Sequence, residues 1–298
     1  MKPDISIVIP VKNGISGGLE KCLQGIFSQK TRYSFEVIAI DSGSTDGTVD
    51  VLKADKRIRL IQIAPSDFGH AKTRNLGARD SSGRFIVYLN SDAWPADDKW
   101  LDGLIDELAS DDKIAGTYSR QLPKPGCHLY AERDMLRSMP DKKIVRDSIE
   151  QFDFMSFSTV SAAIRKDVWQ KTPFDDAIEI AEDQDWARKI LQQGMAIVLE
   201  PASRVFHSHN YNFMEMFRSK VRIAKAFRKM TGGPKRPFFG LIFAIGGIII
   251  RISGDLVFIL RYKGKGVPDK LKEILISICM RTASFSGRYY GGLLDQDK

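Results

Sequence analysis

Cysteine is scarce in this chain of 298 residues, which contains only Cys22, Cys127 and Cys279. The three lie far apart and form no CxxC pair, which argues against a disulfide framework and against a thiolate metal site. This usage is typical of a reducing, cytosolic compartment. The N-terminal residues lead directly into a strand-like segment, with no charged region followed by an apolar one, so the sequence predicts no signal peptide.

Acidic residues are scarce in the last quarter of the chain. Residues 1–215 hold 28 Lys and Arg against 32 Asp and Glu, a net charge of −4, whereas residues 216–298 hold 17 against 5, a net charge of +12. All the excess positive charge therefore lies near the C-terminus. Such a segment attracts an anionic partner, either a nucleic acid or an anionic membrane surface.

An apolar run in the same quarter favours the membrane. Residues 238–250 form 13 apolar positions before Arg251, fewer than the roughly 20 that span a bilayer. Extending the run would bury Arg251 and Asp255 at about 3 kcal/mol each. A basic amphipathic helix precedes the run and ends at residues 232–234, so the pattern predicts attachment within the membrane interface. The alternative is an ordinary helix packed on the main domain; nucleic acid is disfavoured because stacking aromatics do not accompany the basic residues.

Short β-rich runs alternate with helical patterns over the first two hundred residues. Turn-forming residues bound each run, and each is too short for a helix. This alternation predicts an α/β fold with a mostly parallel sheet that binds ligands outside the carboxyl ends of its strands. The predicted strands are 5–9, 35–40, 59–63, 85–89, 114–119, 157–164 and 196–199, and the predicted helices are 19–28, 47–54, 71–80 and 182–193.

Two acidic residues lie at ends of predicted strands. Asp41 opens the segment DSGSTDGT, where a carboxylate can accept the N3–H of uracil or thymine and small residues let a ribose approach. Asp92 ends the tripeptide NSD and can bind Mg²⁺ or Mn²⁺ together with diphosphate oxygens. The alternative for each is an ordinary turn, with Asp46 capping the helix that follows.

Three further polar groups are candidates for the same chemistry. Arg74 lies near the start of a predicted helix and suits a phosphate, although a solvated basic turn is the alternative. Residues 182–186 place three acids at a helix start, which the helix dipole alone explains unless one of them deprotonates an acceptor hydroxyl. His207 and His209 share a face of a predicted strand, where a neutral imidazole can complete a metal site or form a partly buried polar pair.

The order of these motifs resembles that of the family 2 glycosyltransferases over residues 4–212. Five elements follow one another as they do in that family: Val8-Ile9-Pro10 with Asn13, then the segments 41–48, 90–92 and 182–186, and then His207. Residues 68–75 and 118–123 further resemble the rhamnosyltransferase-type members.

This resemblance implies the GT-A fold, an α/β nucleotide-binding fold, and inversion of the anomeric centre by a single displacement. Asp183 is the implied catalytic base. Asp92 and His207, with His209 in reserve, are the implied ligands of Mg²⁺ or Mn²⁺. The expected nucleotide site comprises Pro10, Asn13, Asp41, Ser42, Arg74, Asn90 and Ser91, and the expected acceptor pocket comprises Arg120, Gln121, Glu182, Trp186 and His209.

One position departs from the family pattern. The common metal motif has two acids separated by one residue, whereas this chain has the uncharged Asn90 in the first position. We expect a glycosyltransferase domain at 1–212 and a membrane-associating region at 213–298. The expected donor is a dTDP- or UDP-linked sugar, with rhamnose one candidate. The acceptor is expected to be a lipid-linked or other glycan at the cytoplasmic membrane face, in cell-envelope polysaccharide synthesis. The alternatives are a non-catalytic nucleotide-sugar-binding relative and a nucleic-acid-binding protein that uses the basic tail.

Overall fold

The computed structural model describes residues 2–153, 156–232 and 237–294. The chain divides into two compact units, the first formed by Met1–Leu122 with Met139–His207 and the second by Pro123–Ser138 with Ser208–Lys298. The second unit therefore includes a short segment from the middle of the chain as well as the C-terminal residues. The expected division after residue 212 did not include that segment.

A single mixed sheet organises the first unit. Its strand order is β3-β2-β1-β4-β8-β6-β9-β5, with β7 also paired to β9. The pairs β1–β2, β2–β3, β1–β4 and β6–β9 are parallel, and the remaining pairs are antiparallel. The strands are β1 Ile5–Val11, β2 Phe35–Asp41, β3 Ile58–Gln62, β4 Phe85–Leu89, β5 Trp94–Pro95, β6 Ile114–Leu122, β7 Ile144–Arg146, β8 Ser161–Arg165 and β9 Ala196–Phe206.

Helices cover both faces of this sheet. Ile7 of β1 packs into a core cluster with Leu19 and Trp100, whereas its neighbour Val8 packs into a second cluster with Ala71 and Trp186. Successive residues of a strand point to opposite faces, so an unbroken apolar run is what a doubly covered parallel strand requires. The helices of the chain are α1 Leu19–Phe27, α2 Thr48–Ala54, α3 His70–Asp80, α4 Trp100–Ser110, α5 Leu129–Ser138, α6 Lys166–Lys171, α7 Glu182–Gln192, α8 Phe213–Thr231, α9 Pro237–Arg261 and α10 Val267–Leu293.

The predicted strands and helices of the first hundred residues are confirmed within two residues at each end. Two later predictions need correction. The strand predicted at 157–164 begins only at Ser161, and a turn at residues 159–160 precedes it. The strand predicted to end at Leu199 continues as β9 to Phe206, since a register shift between Ser119 and Arg120 on β6 accommodates Pro201, which has no N–H for the ladder.

The second unit is helical and consists of α5, α8, α9 and α10. Asn212 and Glu215 form a capping box at the start of α8, where the expected second region begins. Gly232 ends α8 in the left-handed conformation, and the predicted break at residues 233–234 lies outside the described residues. Helix α9 is longer than the predicted apolar run and includes Arg251 and Asp255, and α10 was not predicted.

Helix α9 of the second unit is largely apolar, but it contains a buried acidic residue, Asp255. Asp255 is 1% exposed and accepts hydrogen bonds from Ser277 (2.7 Å), Arg281 Nε (2.7 Å) and Arg133 (2.9 Å). Among the described residues one helical stretch, Gly240–Arg261, is long and apolar enough to cross a membrane by length and composition alone.

Candidate active site

Asp41 is a buried carboxylate at the carboxyl end of β2. Its Oδ2 atom accepts the backbone N–H groups of Gly43 (3.1 Å) and Ser44 (3.2 Å). Its Oδ1 atom is buried and has no hydrogen-bond partner among the described residues. Gly43 has a φ of 84°, which favours glycine and lets the chain fold back over the carboxylate. An acceptor held in this way is ready for a donor that the protein does not supply.

The loop after β1 lies between the segment that follows Asp41 and the second acidic residue, Asp92. Asn13, with a φ of 49°, accepts the Thr45 N–H (2.8 Å) and donates its own backbone N–H to Ser44 (2.8 Å). Farther along this loop, a Cβ built on Gly17 would lie 3.4 Å from that of Asp92. The residues after β1, β2 and β4 therefore form one edge of the sheet, as parallel strands require.

Asp92 lies opposite a histidine whose orientation is fixed. The His207 Nε2 atom is 3.5 Å from Asp92 Oδ2, and its Nδ1 atom is 3.0 Å from Gln121 Oε1. The Gln121 amide donates to Ser158 (3.0 Å), so its carbonyl oxygen faces the imidazole and Nδ1 is the donor. In the neutral ring Nε2 then presents its lone pair toward the carboxylate. Two acceptors that face each other fit a shared divalent cation, with Gln121 orienting one of its ligands.

Asp183 is a half-buried residue in the first turn of α7. Thr159 donates both its backbone N–H (3.1 Å) and its hydroxyl (3.3 Å) to Asp183 Oδ2. Burial, and then the neighbouring negative charge of Glu182, raise the pKa of Asp183 to about 6, against the opposing effect of Arg74. At neutral pH this carboxylate is mostly ionised yet basic enough to take a proton, which suits a general base.

Arg74 connects these two halves of the site. Its guanidinium donates to Glu182 (2.6 Å) and to the side-chain oxygen of Asn90 (3.0 Å). The Arg74 and Glu182 side chains are only 6% and 5% exposed. Because Asn90 is two residues from Asp92 and Glu182 adjoins Asp183, one ion pair ties the Asp92 strand end to the Asp183 helix.

Several expected site residues have structural partners instead. Trp186 is fully buried, packs against Phe157 and donates its indole N–H to Thr172 (2.9 Å), so it lies in the core and does not line an acceptor pocket. Glu182 is likewise buried and is paired with Arg74, which corrects its place in that pocket. Arg120 pairs with Asp141 (2.9 Å) at 13% side-chain exposure.

The remaining expected residues are spread over the strand ends. Pro10 lies within β1, and the Ser42 hydroxyl donates to Val11 (3.2 Å), so both support the loop that carries Asn13. Ser91 lies in the turn before Asp92. His209 belongs to the second unit, where it is exposed and stacks on Tyr211. Thr159, which donates to Asp183, was not among the expected site residues, because its segment was predicted as strand.

Known proteins share this sequence pattern and this arrangement of strands. The model of Glycosyl transferase family 2 matches residues 6–172. Over 220 residues the chain is 32% identical to the O-antigen chain rhamnosyltransferase RfbN of Salmonella typhimurium, covering 72% of this chain and 69% of that protein. Over 302 residues it is 24% identical to Glycosyltransferase AglE of Haloferax volcanii, covering 96% and 95% of the two chains.

A solved structure extends the likeness to the fold. The mannosyltransferase PcManGT from Pyrobaculum calidifontis, solved in complex with GDP-Man and Mn²⁺, superposes with a TM-score of 0.61 at 16% identity, covering 95% of this chain and 86% of that one. The expected GT-A fold is thereby confirmed. With more than half its length matched by the family model, the chain belongs to glycosyl transferase family 2 and is a glycosyltransferase.

Proposed function

We propose that this enzyme transfers rhamnose from a dTDP- or UDP-linked donor to a hydroxyl of a saccharide acceptor, in the synthesis of a cell-envelope polysaccharide. The relatives RfbN and WbaN, the latter from Salmonella anatum, are named as O-antigen chain rhamnosyltransferases, and this supports the choice of sugar. The observation that carries the proposal is the link from Asn90 through Arg74 to Glu182, which ties a candidate metal site to a candidate base.

Asp183 is the proposed catalytic base of a single displacement. Its carboxylate takes the proton of the acceptor hydroxyl as that oxygen forms a bond to the anomeric carbon. The bond from the anomeric carbon to the nucleoside diphosphate breaks in the same step, and the diphosphate leaves with the electron pair. The configuration inverts, and because no covalent intermediate forms, one base suffices.

Asp92 and His207 are the proposed ligands of a divalent cation, Mg²⁺ or Mn²⁺. The cation would neutralise the charge that develops on the departing diphosphate. Two protein ligands leave most coordination positions to phosphate and water, which is how such ions are commonly held at phosphate sites. Asn90 is uncharged and its side-chain oxygen accepts from Arg74, so it is not a proposed ligand of the cation.

Asp41 is the proposed contact for the base of the nucleotide. Its unpartnered Oδ1 atom is an acceptor that suits the N3–H of uracil or thymine. Asn13 and Ser42 shape the loop beside it, so the donor would lie along the strand ends from Asp41 towards Asp92.

A donor screen tests the proposed reaction directly. The full-length protein is incubated with Mn²⁺ and a matched set of dTDP- and UDP-linked sugars, and nucleoside diphosphate release is measured with and without lipid-linked saccharides. We expect a rhamnose donor to give acceptor-dependent release. Binding of a donor without release under any condition would instead support a non-catalytic relative, and acceptor-dependent release only from another sugar would refute the choice of rhamnose.

The second unit is proposed to attach the enzyme to the anionic, cytoplasmic face of the membrane, lying in the interface. Phe243 and Ile250 of α9 are each 72% exposed, although Asp255 on the same helix is buried. Helix α10 exposes a stripe of apolar residues at helical spacing, Val267, Leu271, Leu275 and Ile278. Apolar faces with basic surroundings are typical of helices that lie in a membrane interface. This location favours a lipid-linked acceptor.

Vesicle flotation tests the attachment. We expect the protein to float with phosphatidylglycerol vesicles and far less with phosphatidylcholine vesicles. Replacing both Phe243 and Ile250 with Glu should weaken the binding at least about tenfold, since each large apolar side chain contributes about 1.5–3 kcal/mol when buried. Val145→Glu is the matched control, an exposed apolar residue of the first unit. Unchanged flotation of the double variant, or resistance to alkaline carbonate, which marks a spanning helix, would contradict the interfacial model.

A further inference from the structure

Two consecutive polar residues of α3 are buried. Arg74 is 5% exposed and Asn75 is 2% exposed. Both side chains contact the segment from residue 174 to residue 182, which leads into α7, the helix that carries Asp183. Burying a charged group or an amide is costly unless it forms hydrogen bonds, so the contacts of Arg74 and Asn75 are informative.

Asn75 holds the beginning of this segment. Its side-chain oxygen accepts from the Phe174 N–H (3.2 Å) and from the Trp169 indole (2.9 Å). Its amide group donates to the Phe174 carbonyl (2.8 Å) and to Asp176 (2.8 Å). These four bonds use the whole hydrogen-bonding capacity of an asparagine. The start of the segment is therefore fixed to α3 by a neutral group.

Arg74 holds the end of the segment. It donates to Glu182 (2.6 Å), the first residue of α7, and to Asn90 beyond β4 (3.0 Å). Ala181, just before α7, has a φ of 68°, an uncommon value for a residue other than glycine. A strained residue persists only where its surroundings fix it, and the Arg74–Glu182 pair lies directly beside it.

We propose that Arg74 and Asn75 form a two-point anchor that positions the base helix against the metal strand, with Arg74 acting as a positioning residue instead of a phosphate ligand. The inference rests on the proposed role of Asp183 as base. The Arg74 guanidinium is 6% exposed and already pairs with a buried carboxylate 2.6 Å away, and both features oppose direct contact with a phosphate.

Arg74 is charged and Asn75 is neutral, so the effects of the two residues on Asp183 can be measured separately. The charged groups that act on Asp183 are Glu182 from its own helix, which raises its pKa, and Arg74 from α3, which lowers it. Thr159, from the turn before β8, bonds to Asp183 without charge, and Asn75 is neutral. Tyr88 of β4, which faces the Arg74 backbone carbonyl, stays protonated because burial raises its pKa far above the neutral range.

The test compares the pH dependence of kcat in three variants with the wild type. In each variant the acid limb is the range in which kcat falls as the pH is lowered. Arg74→Met leaves the negative charge of Glu182 unopposed, so the acid limb should move up by about one pH unit or more. Glu182→Gln leaves Arg74 unopposed, so the limb should move down. The double variant should return it close to the wild-type position, while kcat at high pH stays reduced because the bridge to Asn90 is lost. The donor Kd should remain within about threefold in all three, since binding groups are untouched.

Asn75→Ala is the matched control for a merely structural effect. It removes the neutral anchor, so kcat should fall with no movement of the acid limb. An acid limb that stays fixed in both single variants would overturn the anchor role, and so would a donor Kd weakened more than about tenfold by Arg74→Met alone, as a phosphate ligand predicts. If Arg74→Met fails to fold, Glu182→Gln alone decides by the direction of its shift. A fully active Asp183→Asn variant would refute the proposed base itself, a different result from an unmoved limb.

Discussion

Both units of this glycosyltransferase contain buried ion pairs, but the surroundings of these pairs differ. In the first unit the Arg74–Glu182 pair lies between Asn90 and Asp183, among groups proposed to carry the chemistry. In the second unit Arg281 and Arg133 pair with Asp255, and the aliphatic side chains of the same helix face outward. The first arrangement is proposed to tune a base, whereas the second keeps charge away from an apolar exterior.

This difference separates function from stability. A buried charge next to a reacting group alters its pKa, so its loss should be seen in the rate and its pH dependence. A buried charge that only joins helices should be seen in the free energy of unfolding. We therefore expect substitutions in the first unit to change the rate and its pH dependence, and substitutions in the second unit to change the free energy of unfolding. A variant in either unit that shows the effect expected of the other would contradict this comparison.

The largest expected effect is on the proposed base. Asp183→Asn keeps the shape of the side chain and removes its basicity, so kcat should fall by about 10³-fold while donor affinity stays within a few-fold. Asp185→Asn is the matched control, because Asp185 lies in the same helical turn but pairs with Lys189 (2.6 Å) and Arg188 (3.1 Å). Equal losses in the two variants would mean that the helix, not Asp183, is what the reaction needs.

The pH dependence follows from the same carboxylate. A base with a pKa of about 6 is protonated below that value, so kcat should fall roughly tenfold per pH unit under pH 6 and level off above it. An ordinary exposed aspartate would keep the rate flat down to about pH 4. Initial rates with saturating donor and Mn²⁺ measure this limb, and a flat profile through pH 5 would show that burial does not tune Asp183.

Removal of the metal ligand should come next in size. Asp92→Ala removes one of two proposed protein ligands, so the apparent Kd for Mn²⁺ should rise at least tenfold, and activity should fall about 10²-fold, given the several kcal/mol that such ions contribute. EDTA should abolish wild-type transfer, and added Mn²⁺ should restore it. Asp98→Ala, which removes a surface partner of Lys30, should leave both quantities unchanged. Full activity of Asp92→Ala in EDTA would exclude a metal at this position.

Much of the first unit could be predicted from the sequence, for local reasons. Apolar runs bounded by turn formers specified β1 to β4, and Asp41 and Asp92 fall at the strand ends where the alternation put them. His207 and Asp183 became candidates because their order along the chain resembles that of a family. None of this required knowledge of which side chains touch.

The remaining features depend on contacts between distant parts of the chain. Glu182 looked like a helix-start acid, but its partner Arg74 is 108 residues away. Trp186 looked like a pocket aromatic because it follows the acidic motif, whereas the helical turn points it into the core. The strand predicted at 196–199 continues past Pro201 because of the register shift between β9 and β6. Helix α10 went unpredicted, since its apolar stripe faces outward beside a basic background.

Substitution of the buried ion pair in the second unit should lower its free energy of unfolding. Asp255→Asn removes the carboxylate that pairs with Arg133 and leaves Arg281 with Asp134 alone, so the second unit should lose about 3 kcal/mol of stability. All four tryptophans lie in the first unit, so fluorescence follows its unfolding, while far-UV circular dichroism also follows the helices of the second. An early helical transition with unchanged tryptophan fluorescence is the expected signature. Replacing the three groups together, Asp255→Leu with Arg133→Met and Arg281→Met, should recover most of the loss; a triple variant as unstable as the single would contradict a structural ion-pair cluster.

The smallest expected effect sharpens the comparison at the metal site. Gln121 orients His207 through Nδ1 (3.0 Å) without itself being a proposed ligand. Gln121→Leu frees the imidazole to rotate, so the apparent Kd for Mn²⁺ should rise about tenfold, which is typical for the loss of a group that orients a metal ligand. Gln121→Glu keeps an acceptor at Nδ1 and should rescue the affinity, whereas stability should change little in either variant. Equal losses of Mn²⁺ affinity in both would show that Gln121 acts by packing, and His207 would then be held by the strand end alone.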